Sequence, residues 1–252
     1  MLSASGATHP GRVRKINEDA FVCDVEQALF MVGDGMGGHH AGEVASAVAL
    51  EAIRRFLAST NDGDKVTWPF GIDPTLSFDA NRLATAIKLA NRRVFKASES
   101  REDYSGMGTT VVVALVTPSH IVFSSVGDSR IYSFAQGALT QLTQDDSWVT
   151  MLLTQGNLAP AAVAHHPMKH VLTNVLGPRG DLECQVHERE LSGPETFLLS
   201  TDGLHGTLDQ PAFERVLQSD DAPDVLATRL IEQALDRGAP DNITAVVIRY
   251  EP

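Results

Sequence analysis

The sequence predicts an α+β chain in which antiparallel sheets carry helices on their outer faces, and three observations point there. Seven short runs rich in β-branched and aromatic residues, at 20–23, 28–32, 109–116, 121–126, 131–134, 196–199 and 243–250, read as strands and dominate the centre. Three stretches, 42–57, 81–96 and 223–237, carry apolar residues at helical spacing. The strands come in blocks rather than in strict alternation with helices, and runs such as 109–116 and 121–126 lie only a few residues apart. That spacing suits hairpins and leaves no room for the helical crossovers of a parallel sheet.

The remaining chain is consistent with this order. Between the first two helices, 60–79 is rich in Asp, Gly, Pro and Thr and reads as a surface loop. After the central strands, 145–170 combines a short amphipathic helix at 147–154 with the small and polar run GNLAPAAVAHHP, the composition of a lid. We find no repeat, low-complexity tract or charged linker, so the 252 residues are expected to form one domain, 1–252, with a flap at about 145–170.

Composition narrows the function. With 32 acidic against 20 basic residues the formal charge is −12, which disfavours binding to nucleic acid phosphates. No apolar run approaches the roughly 18 residues needed to span a bilayer, and the N-terminus has no signal-peptide pattern, so a cytoplasmic location without membrane insertion is expected. Cys23 and Cys184 lie in neither a CxxC pair nor a Cys-x5-Arg loop, which removes phosphocysteine chemistry.

One pattern recurs. An apolar strand runs into an aspartate followed by a small residue in LFMVGDGMGG, VFSSVGDSR and FLLSTDGL, and in APDNITAVVIRY an aspartate precedes the strand. Each Asp-Gly pair alone is weak, because most are turns. Four acids at the ends of buried strands are costly unless cations neutralise them. Carboxylates with a backbone carbonyl suit hard ions such as Mg²⁺ and Mn²⁺ rather than zinc. In Asp34-Gly35-Met36-Gly37-Gly38 the glycines let the backbone approach an ion, leaving the Gly35 carbonyl free beside the Asp34 carboxylate.

Through GRVRKINEDAF, DGMGGHHAGEVAS, GMGTTVVVAL, VGDSRIY, the stretch from LTQDDSWV to HHPMKHVLTNVLG, LLSTDGL and DNITAVVI, in that order, nearly the whole chain resembles the metal-dependent protein phosphatases of the type-2C class in their compact bacterial form. The resemblance implies a four-layer α-β-β-α sandwich of two antiparallel sheets flanked by helix pairs. It implies hydrolysis of phosphoserine or phosphothreonine in proteins by a water held between two Mn²⁺ or Mg²⁺ ions. Asp34 would bridge the two ions, Gly35 would bind one through its carbonyl, and Asp202 and Asp241 would complete the other. Glu18 and Asp19 would ligate directly or through water, their roles not separated. Asp128 in GDSR, with Asp202, would hold a third ion, and Arg14 would clamp the substrate phosphate. Many relatives carry a histidine straight after the DG. Here Met36 stands there, leaving a water or His39 as candidate leaving-group acid. Phosphorylated proteins and a cognate Ser/Thr kinase are the implied partners of a monomer.

Bland alternatives stand beside these assignments. Gly33, Gly35 and Gly38 also spell GxGxxG, the dinucleotide-binding fingerprint of an oxidoreductase, although no second mononucleotide half follows. A pseudophosphatase that binds phosphoprotein without turnover is the other rival, against which all four strand-end aspartates are present. Arg14 next to Arg12 and Lys15 reads by itself as a solvated basic trio. Asp145 and Asp146 read as caps of the helix near Ser147. His165, His166 and His170 fit no zinc spacing and read as flap or surface residues.

Overall fold

The computed structural model describes residues 1–38, 40–61 and 67–252. The chain opens with strands β1 (Leu2–His9), β2 (Asp19–Asp24) and β3 (Leu29–Met36), then helices α1 (Ala41–Ser59) and α2 (Phe78–Ser100). The central block holds β4 (Gly108–Thr109), β5 (Val111–Val116), β6 (His120–Val126), β7 (Arg130–Ala135) and β8 (Ala138–Gln141). After α3 (Trp148–Thr154) come β9 (Val186–Glu190), β10 (Glu195–Ser200), α4 (Asp202–His205), α5 (Gln210–Leu217), α6 (Pro223–Asp236) and β11 (Ile243–Tyr250).

Two sheets result, in the orders β1-β11-β10-β7-β8 and β2-β3-β5-β6-β9, with β4 beside β3. Every strand pairing among the described residues is antiparallel, which removes the parallel βαβ framework that a GxGxxG dinucleotide site requires.

Period-2 alternation builds the layers. From β3, Phe30 and Val32 join Val112, Ala114, Phe197, Val246 and Ile248 in a core between the sheets. Leu29 and Met31, on the opposite face, pack with Leu50, Ile53, Leu83 and Ile87 of α1 and α2. On the other sheet Ile243, Ala245 and Val247 of β11 meet Phe213, Leu226 and Leu230 of α5 and α6. Strands β3, β5, β10 and β11 are thus buried on both faces, and the order is helix, sheet, sheet, helix, as the resemblance implied.

The elements depart from expectation in instructive places. Strands β1, β8 and β9 escape sequence detection: LSASGATH is made of small and polar residues, and VHERE is an edge strand whose charges guard against further pairing. The expected strand 109–116 is broken at Thr110, whose N–H donates to the Asp34 carbonyl at 2.9 Å. Helix α5 begins with Asp209 accepting from Ala212 N at 3.2 Å, and its eight residues are too short a run to stand out by apolar spacing.

Candidate active site

Asp34, Asp128, Asp202 and Asp241 approach from four elements. Asp34 lies inside β3 rather than at its end, since β3 continues to Met36 and pairs with β4. Asp128 sits in the turn between β6 and β7, Asp202 opens α4 directly after β10, and Asp241 precedes β11. Because β10 and β11 are neighbours in one sheet while β3 and β6 belong to the other, the strand ends of both layers deliver acids to one edge of the sandwich. There a cavity of about 470 Å³ is lined by Arg14, Glu18, Asp34, Gly35, Asp128, Asp202 and Asp241, with Met36, Thr110, His170, Leu172 and Asn242 among the residues of its wall.

Asp19 lies behind that wall, buried, its Oδ2 accepting from Thr201 Oγ1 at 2.8 Å and Thr244 Oγ1 at 2.7 Å. Asp34 is anchored through its backbone: its N–H donates to Thr110 Oγ1 at 2.9 Å and its carbonyl accepts from Thr109 Oγ1 at 3.0 Å. Glu18 is pinned by its N–H to Asn242 Oδ1 at 2.8 Å, while its carbonyl accepts from Ser46 Oγ at 2.7 Å. A Cβ on Gly35 would stand 2.0 Å from the Gly42 carbonyl and 2.7 Å from that of Glu18. Only glycine lets β3, α1 and the Glu18 segment converge here.

The electrostatics are those of several buried acids gathered around one arginine. Burial, first, pushes Asp19 and Asp128 up to about 7, with repulsion from Asp202 adding to both. Asp34 is raised well above the usual carboxylate range by burial and then by Asp19, Asp202, Asp128 and Asp241. Burial and then repulsion from Asp241 also raise Asp202. Glu18 is raised by burial against the opposing pull of Arg14.

Buried Asp19 Oδ1 and Asp202 Oδ1 have no hydrogen-bond partner among the described residues. Unpaired buried carboxylate oxygens are expensive, and a purely oxygen donor set beside them fits Mg²⁺ or Mn²⁺. Among the described residues no three His, Cys, Asp or Glu side chains draw together into a compact ligand cluster. An open donor set of this kind suits ions that keep several of their waters.

Arg14 leaves the basic trio: its Nη2 donates to Asp241 Oδ2 at 2.8 Å on the cavity wall, whereas Arg12 Nε turns away to the Leu235 carbonyl at 3.3 Å. His170, at the end of the 145–170 segment, reaches the cavity. His39 lies outside the described residues, and His40, at φ 70°, precedes α1 without capping it. Asp145 and Asp146 do not cap α3. Ser147 does so, accepting from Thr150 N at 3.3 Å, while Asp145 accepts from Arg130 through both oxygens, at 2.9 and 2.7 Å.

Sequence reasoning missed Asn242. It is buried, donates through Nδ2 to the carbonyls of Pro10 at 3.1 Å and Ile16 at 2.8 Å, and accepts from Glu18 N. It thereby ties the segment carrying Arg14 to the segment carrying Asp241. Thr201 and Thr244 were missed for the same reason, since only folding brings them to Asp19.

Comparison with known proteins agrees with the geometry. A serine/threonine phosphatase stp of Listeria monocytogenes is 33% identical over 257 residues, covering 99% of this chain and 96% of that protein. The serine/threonine protein phosphatase PstP of Mycobacterium tuberculosis is also 33% identical, over 98% of this chain and 45% of that longer protein. The crystal structure of the Mycobacterium tuberculosis phosphatase PstP/Ppp superposes with a TM-score of 0.86 at 32% identity, covering 100% of this chain and 99% of that one. The catalytic domain of PstP in complex with 2 manganese ions superposes at 0.81 and 31% identity, over 98% and 97% of the two chains. The family described as Protein phosphatase 2C matches residues 6–233, and on this evidence the chain belongs to the protein phosphatase 2C family.

Proposed function

We propose that this chain hydrolyses phosphoserine and phosphothreonine in proteins, with Mn²⁺ or Mg²⁺ held by Asp34, Gly35, Asp202 and Asp241. In this reading Glu18 and Asp19 support that pair of ions, and Asp128 joins Asp202 on a third. The observation that carries it is the convergence of five acids and Arg14 on one cavity, backed by a buried Asp202 oxygen with no hydrogen-bond partner among the described residues. Relatives bearing the name serine/threonine phosphatase at 33% identity over nearly the whole chain support the substrate class.

When bound, the ions supply Lewis-acid activation of water and counter-charge for the phosphoryl oxygens. The protein's share is placement. Arg14 presents a planar fork that suits two phosphoryl oxygens, and its hydrogen bond to Asp241 holds it at the cavity wall until a phosphate competes for it. Thr109 and Thr110 fix the backbone of Asp34, while Thr201 and Thr244 fix the carboxylate of Asp19, so the donor oxygens are oriented before any ion arrives. Met36 carries no proton, so the leaving seryl or threonyl oxygen takes one from water or from His39.

The segment 145–170 is read as a flap that recognises residues flanking the phosphate. By the same resemblance the enzyme opposes a Ser/Thr kinase and acts as a cytoplasmic monomer. No helix among the described residues is long and apolar enough to cross a membrane.

The test is hydrolysis of p-nitrophenyl phosphate and of a phosphothreonine peptide by purified protein. Turnover that needs Mn²⁺ or Mg²⁺ and stops with a chelator is expected. Full activity in excess chelator ends the proposal, and phosphopeptide binding without turnover would make the chain a binding module instead.

A further inference from the structure

Asp146 stands outside the cavity, yet its hydrogen bonds converge on the turn that presents Asp128. Its Oδ2 accepts from Gly127 N at 3.2 Å, and its own N–H donates to the Gly127 carbonyl at 2.8 Å. The same Oδ2 accepts from Asn174 Nδ2 at 3.1 Å, and the Asp146 carbonyl accepts from Thr173 N at 2.8 Å. One residue therefore joins three pieces of chain: the 127–129 turn, the start of the 147–173 excursion, and its return.

The turn has little else to hold it. Gly127 has φ +99°, and a Cβ there would meet Thr110 Cγ2 at 2.6 Å, so its inner side is closed by Thr110, which also bonds Ser129 Oγ at 2.7 Å. Thr110 in turn carries the Asp34 N–H. The outer side of the turn belongs to Asp146. Asp145 cannot substitute, because both its oxygens are engaged by Arg130. Beyond Ser147 the two limbs stay together, through Trp148 N donating to the Val171 carbonyl at 2.8 Å, and the returning limb then supplies Leu172 to the cavity wall.

We propose that Asp146 is a positioning residue, holding the Asp128 turn against the cavity and locking it to both ends of the 147–173 segment, so that cation binding at Asp128 depends on the seating of that segment. This rests on the phosphatase reading above. Groups that orient a metal ligand from behind typically change metal affinity or activity about 10–100-fold when removed. Because one oxygen accepts both side-chain-directed bonds, an amide oxygen in its place can do the same, whereas a methyl group cannot.

The experiment compares Asp146→Ala and Asp146→Asn with the parent protein by calorimetric titration of Mn²⁺ into metal-free protein, by Mn²⁺-dependent hydrolysis of p-nitrophenyl phosphate, and by thermal melting. For Asp146→Ala the weakest Mn²⁺ binding step is expected to weaken about tenfold, with kcat falling in parallel and KM nearly unchanged. Asp146→Asn is expected to restore both to within about threefold. Should Asp146→Ala not fold, Asn174→Ala releases only the returning limb and is expected to shift Mn²⁺ binding in the same direction by about threefold. Unchanged Mn²⁺ binding in the alanine variants, or an asparagine variant as impaired as the alanine one, overturns the proposal. An inactive parent protein would instead count against the phosphatase reading, while its calorimetric Mn²⁺ titration would still report on Asp146.

Discussion

Arg14 Nη2 donates to Asp241 Oδ2 at 2.8 Å across 227 positions of sequence, and both side chains remain partly exposed. As a surface ion pair this contact contributes less than about 1 kcal/mol to folding. Its value lies in where it holds the guanidinium. Arg14→Ala is expected to raise KM for a phosphopeptide about tenfold while kcat changes little, because in the proposed function the same fork would grip the phosphate in the ground and transition states alike. Steady-state kinetics check this, and unchanged parameters would return Arg14 to the solvated surface.

Asn242 is expected to matter more for architecture. Asn242→Ala strands the Glu18 N–H and the carbonyls of Pro10 and Ile16, so a loss of roughly 2–4 kcal/mol is expected in denaturant unfolding. Since Arg14 and Glu18 ride on the released segment, kcat/KM should also fall at saturating Mn²⁺. A stable variant with native kinetics would show that the segment is held by other contacts.

Metal-free protein should become less stable as pH rises through neutrality. Asp19 and Asp128 lie at about 7 in the folded chain, against an ordinary 3.8, because burial disfavours their charged forms. Between those values the folded state binds more protons than the unfolded one, so the free energy of unfolding falls with increasing pH. Melting in chelator is expected to show a midpoint that drops from about pH 5 to about pH 8, with added Mn²⁺ restoring most at the upper end. Asp128→Asn should flatten part of that slope. A midpoint that climbs across this window would contradict the picture.

Exchanging 156–165 for the corresponding run of another family member is expected to change kcat/KM for phosphopeptides while leaving p-nitrophenyl phosphate hydrolysis within a few-fold. The small ester carries no flanking residues for that segment to recognise. Equal losses on both substrates would assign the segment to support of the site.

The acids were legible in the sequence because a carboxylate at the end of an apolar run is energetically conspicuous, and the glycines beside them mark close backbone approach. Helices α1 and α6 were legible within a few residues from apolar spacing. What escaped depends on distant partners. Thr201, Thr244 and Asn242 are ordinary polar residues until the fold brings Asp19 and Glu18 to them, and Asp146 looks like a helix cap until Gly127 is seen beneath it. Strand β1 was invisible because its register with β11, Leu2 opposite Tyr250, is set by that partner strand rather than by its own composition.

That same register bears on biosynthesis. Strand β11 lies between β1 and β10, so β1 has no neighbour in its sheet until β11 has been translated. Asp241 and Asn242 emerge with it, and Arg14 and Glu18 wait for them. A nascent chain whose β11 is still inside the exit tunnel has neither a complete carboxylate set nor a fixed arginine. The site therefore closes only once β11 is available, and an amino-terminal fragment lacking β11 has no complete site.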